Sequence, residues 1–151
     1  DGFFSKLPRE VPYAVELRNQ EYLVPPYFAV LREHNVAHVF NSWSRMPPIG
    51  TQLDLEGTVT ADFIVSRALL RPGRMYSEAV EAFKPYDRVR EVNPGLRGDL
   101  VRLAETAVAL RIPAYLIVNN RAEGNAPHTI AAVARQLAES LPPVGQPGST
   151  S

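Results

Sequence analysis

The run Ala114-Tyr-Leu-Ile-Val-Asn-Asn-Arg-Ala-Glu-Gly-Asn-Ala-Pro127 constrains the fold more than any other part of the chain. Five apolar residues of the kind that fill a buried strand stop abruptly at two asparagines. A glutamate, a glycine and a third asparagine follow, and a proline then opens a helix, where its missing N–H costs nothing. In parallel α/β proteins such a strand–corner–helix junction is where ligands bind, at the carboxyl ends of the strands. The polar groups crowded there are the expected wall of a pocket.

The rest of the chain repeats this alternation. Residues 13–18 alternate apolar and polar side chains and read as a first strand that carries Glu16 and Arg18 on one face. Pro25 and Pro26 open a helix with Phe28 and Leu31 on its apolar stripe, ending near His34 and closed by Asn35. Residues 36–40 form the second strand, residues 44–57 read as a loop around Pro47, Pro48 and Gly50, and residues 61–67 form the third strand, ending at Arg67. Gly73 breaks the chain, Ser77 and Glu78 offer a helix start, and residues 84–92 form an irregular charged connection. Asn93-Pro94 caps a longer helix whose apolar face is Leu96, Leu100, Leu103, Ala107 and Leu110, spaced three and four apart. The fourth strand covers residues 114–118. Pro127 begins the last helix, with Ile130, Val133, Ala134, Leu137 and Leu141 expected to face inward. A tail rich in Pro, Gly and Ser from Pro142 is expected to be disordered.

Four strands alternating with helices predict a parallel sheet, which must be covered on both faces or closed into a barrel. Glu16 and Arg18 suit a barrel mouth better than the dry centre of an open sheet. The expected architecture is therefore four consecutive βα units of a TIM-type (β/α)8 barrel, with an open flavodoxin-like sheet as the rival.

Composition removes several function classes. The chain has 151 residues, is 45% hydrophobic, and balances 16 basic against 16 acidic side chains, which argues against a long nucleic-acid track. Without cysteine it has no disulfide, thiol nucleophile or thiolate metal site. The three histidines offer no metal-binding spacing, and no metal or cofactor is assigned. No apolar run approaches the roughly 20 residues of a membrane span, and the start shows no secretion signal, so a cytoplasmic protein is expected. The chain begins at Asp1 and reads as a piece of something longer or a processed product.

Three motifs, Val15-Glu-Leu-Arg18, Leu31-Arg-Glu-His-Asn-Val-Ala37, and Asn119-Asn120 with Glu123-Gly-Asn-Ala-Pro127, resemble the YecE-like family, domain of unknown function family 72. The resemblance runs from about Tyr13 to Leu141 and is most specific in the last motif. It implies a TIM-type barrel of which this chain corresponds to the C-terminal half. Many members carry Arg-Leu-His-Gly after the third strand seen here, where this chain has Arg67-Ala-Leu-Leu70. Many also carry an aspartate after the second strand, where this chain has Asn41-Ser-Trp43. A role needing that histidine or that carboxylate does not carry over.

The expected site follows from these placements. Glu16 is the candidate acid/base group, and Arg18 and Arg67 form a cationic wall. Asn41, Asn119 and Asn120 end strands, while Glu123 and Asn125 line the last βα loop, and Trp43 is a stacking or packing residue. Arg71, Arg74 and Lys84 read as a solvated basic loop. The expected ligand is a small anionic or sugar-like molecule, handled by a hydrolase, lyase or isomerase. The alternatives are a non-catalytic module for phosphorylated ligands or nucleic acid, and an incomplete fragment. Half a barrel would need its N-terminal half, or a second copy, to cover its raw strand edges.

Overall fold

The computed structural model describes residues 2–141, and the tail expected to be disordered lies outside them. In chain order the elements are β1 (Ala14–Val15), α1 (Pro25–Glu33), β2 (Ala37–Asn41), α2 (Ile49–Leu53), β3 (Ile64–Ala68), α3 (Tyr76–Phe83), α4 (Pro94–Leu110), β4 (Ala114–Val118) and α5 (Ala126–Ser140). The four strands form one sheet in sequential order, and every neighbouring pair is parallel. The expected alternation of parallel strands with helices is therefore present.

Alternate strand residues point to opposite faces. In β3, Ile64, Ser66 and Ala68 are buried while Val65 and Arg67 are only half-buried. Ile64 and Ala68 join Phe40, Leu96, Leu100, Leu103 and Val133 in the main core, with Leu116 and Val118 of β4 packed against it. The helices cover this face. Arg67 pairs in register with Asn41 and with Ile117, so the opposite face carries Asn41, Arg67 and Ile117 side by side.

Several local expectations change. The first strand forms a ladder only at Ala14 and Val15, because the Leu17 carbonyl accepts instead from Asn41 Nδ2 at 2.8 Å. The expected loop at 44–57 contains α2, whose buried Ile49 and Gln52 hold it on β2. The helix expected to start at Ser77 begins at Tyr76, with Met75 in the cap position and Glu78 accepting its N–H. On α4 four of the five expected stripe residues are buried, but Leu110 is exposed. On α5 Val133 is buried, with Thr129 and Ala132, while Ile130 and Ala134 lie exposed. Both helices pack on β4, beyond which the described residues place no further strand. Tyr115 and Ile117 on β4 are themselves 57% and 52% exposed. Apolar periodicity locates a helix face correctly only where a neighbour exists to cover it.

Two buried polar clusters fix the elements relative to one another. In the first, His38 lies among the rings of Tyr27, Phe28 and Phe40, with centroids 5.7, 5.5 and 4.9 Å away. Gln52 Nε2 donates to the Asn41 and Pro47 carbonyls at 2.7 Å each, so its Oε1 faces His38 Nε2 at 3.4 Å. That orientation puts the imidazole proton on Nε2 and makes Nδ1 the acceptor of the Tyr27 hydroxyl at 3.1 Å. Burial pushes the His38 pKa from its ordinary 6.5 down to about 4, against a smaller opposing pull from Gln52.

The second cluster surrounds Glu123, which is wholly buried. Its Oε1 accepts from the Asn93 N–H at 2.6 Å and Arg97 Nε at 3.0 Å. Its Oε2 accepts from Arg97 Nη2 at 2.7 Å and the Thr129 hydroxyl at 2.8 Å. The Glu123 carbonyl takes the Arg90 and Glu91 N–H groups at 2.8 and 3.2 Å. One residue thus ties the start of α4, the first turn of α5 and the connection before α4. Gly124 follows at φ +112°, and a Cβ there would meet the Arg88 carbonyl at 2.7 Å, so the close approach requires glycine.

Each cluster predicts a measurable stability effect. Because the folded His38 titrates below the unfolded one, the unfolded state takes up the proton first as pH falls. Its contribution is complete above pH 6.5 and is lost towards pH 4, by about 3 kcal/mol at most. Urea unfolding of the wild type should lose that much more stability than His38→Gln across this range; equal slopes would contradict the assignment. Glu123→Gln leaves Arg97 without its buried partner and should cost about 3 kcal/mol in the same assay. A loss below about 1 kcal/mol would show that the cluster does not organise the loops.

Candidate functional site

The helix-free face of the sheet gathers a cationic group around one carboxylate. Glu16 follows directly on β1, and its Oε1 accepts from Arg18 Nε at 3.2 Å. Its Oε2 accepts from Arg67 Nη1, on β3. Strands lie about 5 Å apart, so a β1-to-β3 contact crosses the whole width of β2, and only two long side chains can close it. The Glu16 side chain is 14% exposed, Arg67 39% and Arg18 51%. The carboxylate therefore sits at the base while the two guanidiniums open outward.

Asn41 forms the floor beside them. It is fully buried, with Nδ2 on the Leu17 carbonyl and Oδ1 accepting the Trp43 N–H at 3.1 Å. These bonds place the Trp43 indole beneath Arg18, whose guanidinium carbon lies 4.3 Å from the ring centroid. Trp43 also packs on Leu69, Leu70 and Phe83, so it both stacks and fills a small core. Neither Arg18 nor Arg67 has an acceptor other than Glu16 among the described residues. Their remaining N–H donors are available to a ligand.

The asparagines beyond β4 divide between rim and scaffold. The Asn119 N–H donates to the Ala68 carbonyl at 2.8 Å, which sets the end of β4 beside the end of β3 and one residue past Arg67. Its Oδ1 accepts the Arg121 N–H at 3.0 Å and starts a single 3-10 turn at Asn120–Ala122. Asn120 Oδ1 takes the Ala126 N–H at 2.8 Å. Asn125 caps α5 through the His128 N–H at 3.0 Å and donates to the Tyr86 carbonyl at 2.8 Å. Asn125 and Glu123, expected to line the pocket, are thus engaged in holding loops together. Glu123 lies inside the protein, where a carboxylate is retained because Arg97 and three further donors satisfy it. The structure brings together Glu16, Arg18, Asn41 and Arg67, with Asn119 on the next strand end.

Arg97 escaped the sequence reading because its partner lies 26 positions away, and no local pattern marks such a pair. Arg71 and Arg74, expected to be solvated, are instead held on Glu91. Among the described residues no group of three His, Asp or Glu side chains could hold a metal ion. No helix among them is long and apolar enough to cross a membrane. The binding chemistry on offer is guanidinium, carboxylate, carboxamide and indole.

The family model for proteins of unknown function DUF72 matches residues 1–150. A crystal structure of a DUF72 family protein from Enterococcus faecalis V583 aligns with a TM-score of 0.60 at 17% identity. The alignment covers 93% of this chain and 52% of that one, so the chain spans about half the length of that structure. At this identity the likeness is one of fold, and it is consistent with a partial TIM-like barrel. No curated protein matches the chain. With a family model that covers nearly its whole length, the chain belongs to the DUF72 family of proteins of unknown function.

Proposed function

We propose that the helix-free face binds a small anionic or sugar-like molecule at the carboxyl ends of the strands. Arg18 and Arg67 clamp its charged group, Glu16 acts as the acid/base residue, and Asn41 and Asn119 border the pocket. The observation that carries this reading is the shared carboxylate: two guanidiniums, one just past β1 and one on β3, meet on Glu16 and still present unused donors. Guanidinium forks match carboxylate and phosphate oxygens in pairs, which is the recognition a small anion needs. Glu16 keeps one lone pair on each oxygen beyond those its arginines use. A hydrolase, lyase or isomerase would employ such a group in proton transfer.

A second reading treats the same face as a binding site without catalysis. It is favoured by the engagement of both Glu16 oxygens, which makes the glutamate a positioning group for the arginines. Under either reading, Tyr115 and Ile117 call for a neighbour along β4. The rest of a longer protein, corresponding to an N-terminal barrel half, or a second copy would supply it.

A thermal-shift screen of the chain against sugar phosphates and sugar acids should find a stabilising ligand. Arg67→Met should then weaken it by tenfold to hundredfold, the worth of about 1.5–3 kcal/mol for a charge-assisted bond. Unchanged affinity would remove Arg67 from the site. Glu16→Gln should abolish turnover of any ligand that the wild type transforms while leaving the fold intact. Retained turnover would remove Glu16 from the mechanism.

A further inference from the structure

We propose a second anion subsite, for a phosphate group, formed by Arg71 and Arg74 on the loop after β3 and occupied in this structure by the protein's own Glu91. Arg74 Nη2 lies 2.9 Å from Glu91 Oε2, and Arg71 Nη1 lies 3.8 Å from the same oxygen. Two cations therefore share one carboxylate oxygen, and the trio keeps a net positive charge. Arg71 Nη2 also donates to the Val92 carbonyl at 3.1 Å. Two donors remain unsatisfied: Arg71 Nε and Arg74 Nη1 are both buried without an acceptor. A buried charged donor left unpaired is costly, and one carboxylate is too small a set of acceptors for two guanidinium forks. A phosphate group, with three peripheral oxygens, supplies more acceptors in the geometry that guanidinium forks match.

The subsite is built rather than loose. The Arg74 N–H donates to the Arg71 carbonyl at 3.0 Å, a turn that sets the two side chains together. The Arg74 guanidinium rests over the Phe83 ring at 5.3 Å. The Leu70 and Gly73 N–H groups donate to the Ser42 and Ser44 carbonyls at 3.0 and 3.3 Å, which joins this loop to the one carrying Trp43. All three charged side chains remain partly open to solvent, so an incoming anion can compete with Glu91. The neighbouring carboxylate, Asp87, is held by Arg90 at 3.0 Å. The place, a βα loop at the carboxyl end of a parallel sheet, is where such folds bind ligands.

The subsite stands on its own geometry, independently of the reading of Glu16 and Arg67. Where both hold, the ligand carries two charged groups, one clamped by Arg18 and Arg67 on the sheet face and a phosphate at Arg71 and Arg74. Titration with inorganic phosphate, followed by calorimetry at low ionic strength, separates the two. Glu91→Gln removes the internal competitor and should tighten phosphate binding about fivefold, the worth of one partly exposed ion pair. The double variant Arg71→Met, Arg74→Met should abolish the tightening that Glu91→Gln brings, and Arg67→Met should leave that tightening in place. If Glu91→Gln binds no tighter than the wild type, or the double variant keeps the tightening, the subsite is overturned. Its loss in Arg67→Met alone would overturn the subsite too, and would move the anion to the sheet face. Should the double variant fail to fold, Arg74→Gln with its shorter, neutral side chain is read in the same way.

Discussion

The contact between Glu16 and Arg67 is the constraint around which the helix-free face is organised. It reaches from the end of β1 to β3 over β2, joining residues 51 apart in sequence. Alternate strands of a curved parallel sheet meet on its concave side, which is how side chains stack in layers inside barrels. The other features of the face adjoin this tie. Arg18 shares the carboxylate, Trp43 lies under Arg18, and Asn41 holds Leu17 and Trp43 in place. The opposite face is held by α4 and α5, which press apolar side chains onto β3 and β4, and by the buried His38–Gln52 pair at β2.

Two glutamates show how environment separates scaffold from candidate chemistry. Glu123 is sealed in, met by Arg97, Thr129 and the Asn93 N–H, and its role is to fasten loops. Glu16 meets arginines that open to solvent, so the same functional group lies within reach of a ligand. The division of labour also explains the asparagines after β4. Asn120 and Asn125 satisfy backbone donors at the turn and at the start of α5, work that any sharp strand-to-helix corner requires. Asn119 alone among them marks the strand end next to Arg67.

Much of the fold was legible in the sequence because it is written locally. The apolar run of β4, the Asn93 cap and the stripe Leu96, Leu100, Leu103 and Ala107 all follow from spacing along one element. The short ladder of β1 was not legible, since it depends on the Asn41 side chain taking a carbonyl from a residue 24 positions away. The two prolines before Ile49 suggested only a loop, yet Pro48 precedes a helix that the buried Gln52 anchors to β2. Leu110, Ile130 and Ala134 obey helical periodicity but face no neighbour, which no property of their own segments reveals. For the site, Glu16 and Arg18 could be paired from their spacing of two and Arg67 placed on the same wall from its strand end, whereas the bond between Arg67 and Glu16 required the sheet itself. Arg71 and Arg74 were visible as basic residues, but Glu91 lies on a different connection, so the cluster emerges only in three dimensions.

A double-mutant cycle on Glu16 and Arg67 tests the central claim most directly. Stabilities of the wild type, Glu16→Gln, Arg67→Met and the double variant are measured by urea unfolding. A contact across β2 predicts a favourable coupling on the order of 1 kcal/mol, tempered by the partial exposure of Arg67. Strictly additive effects would mean that the two side chains do not meet, and the face they are taken to organise would lose its foundation.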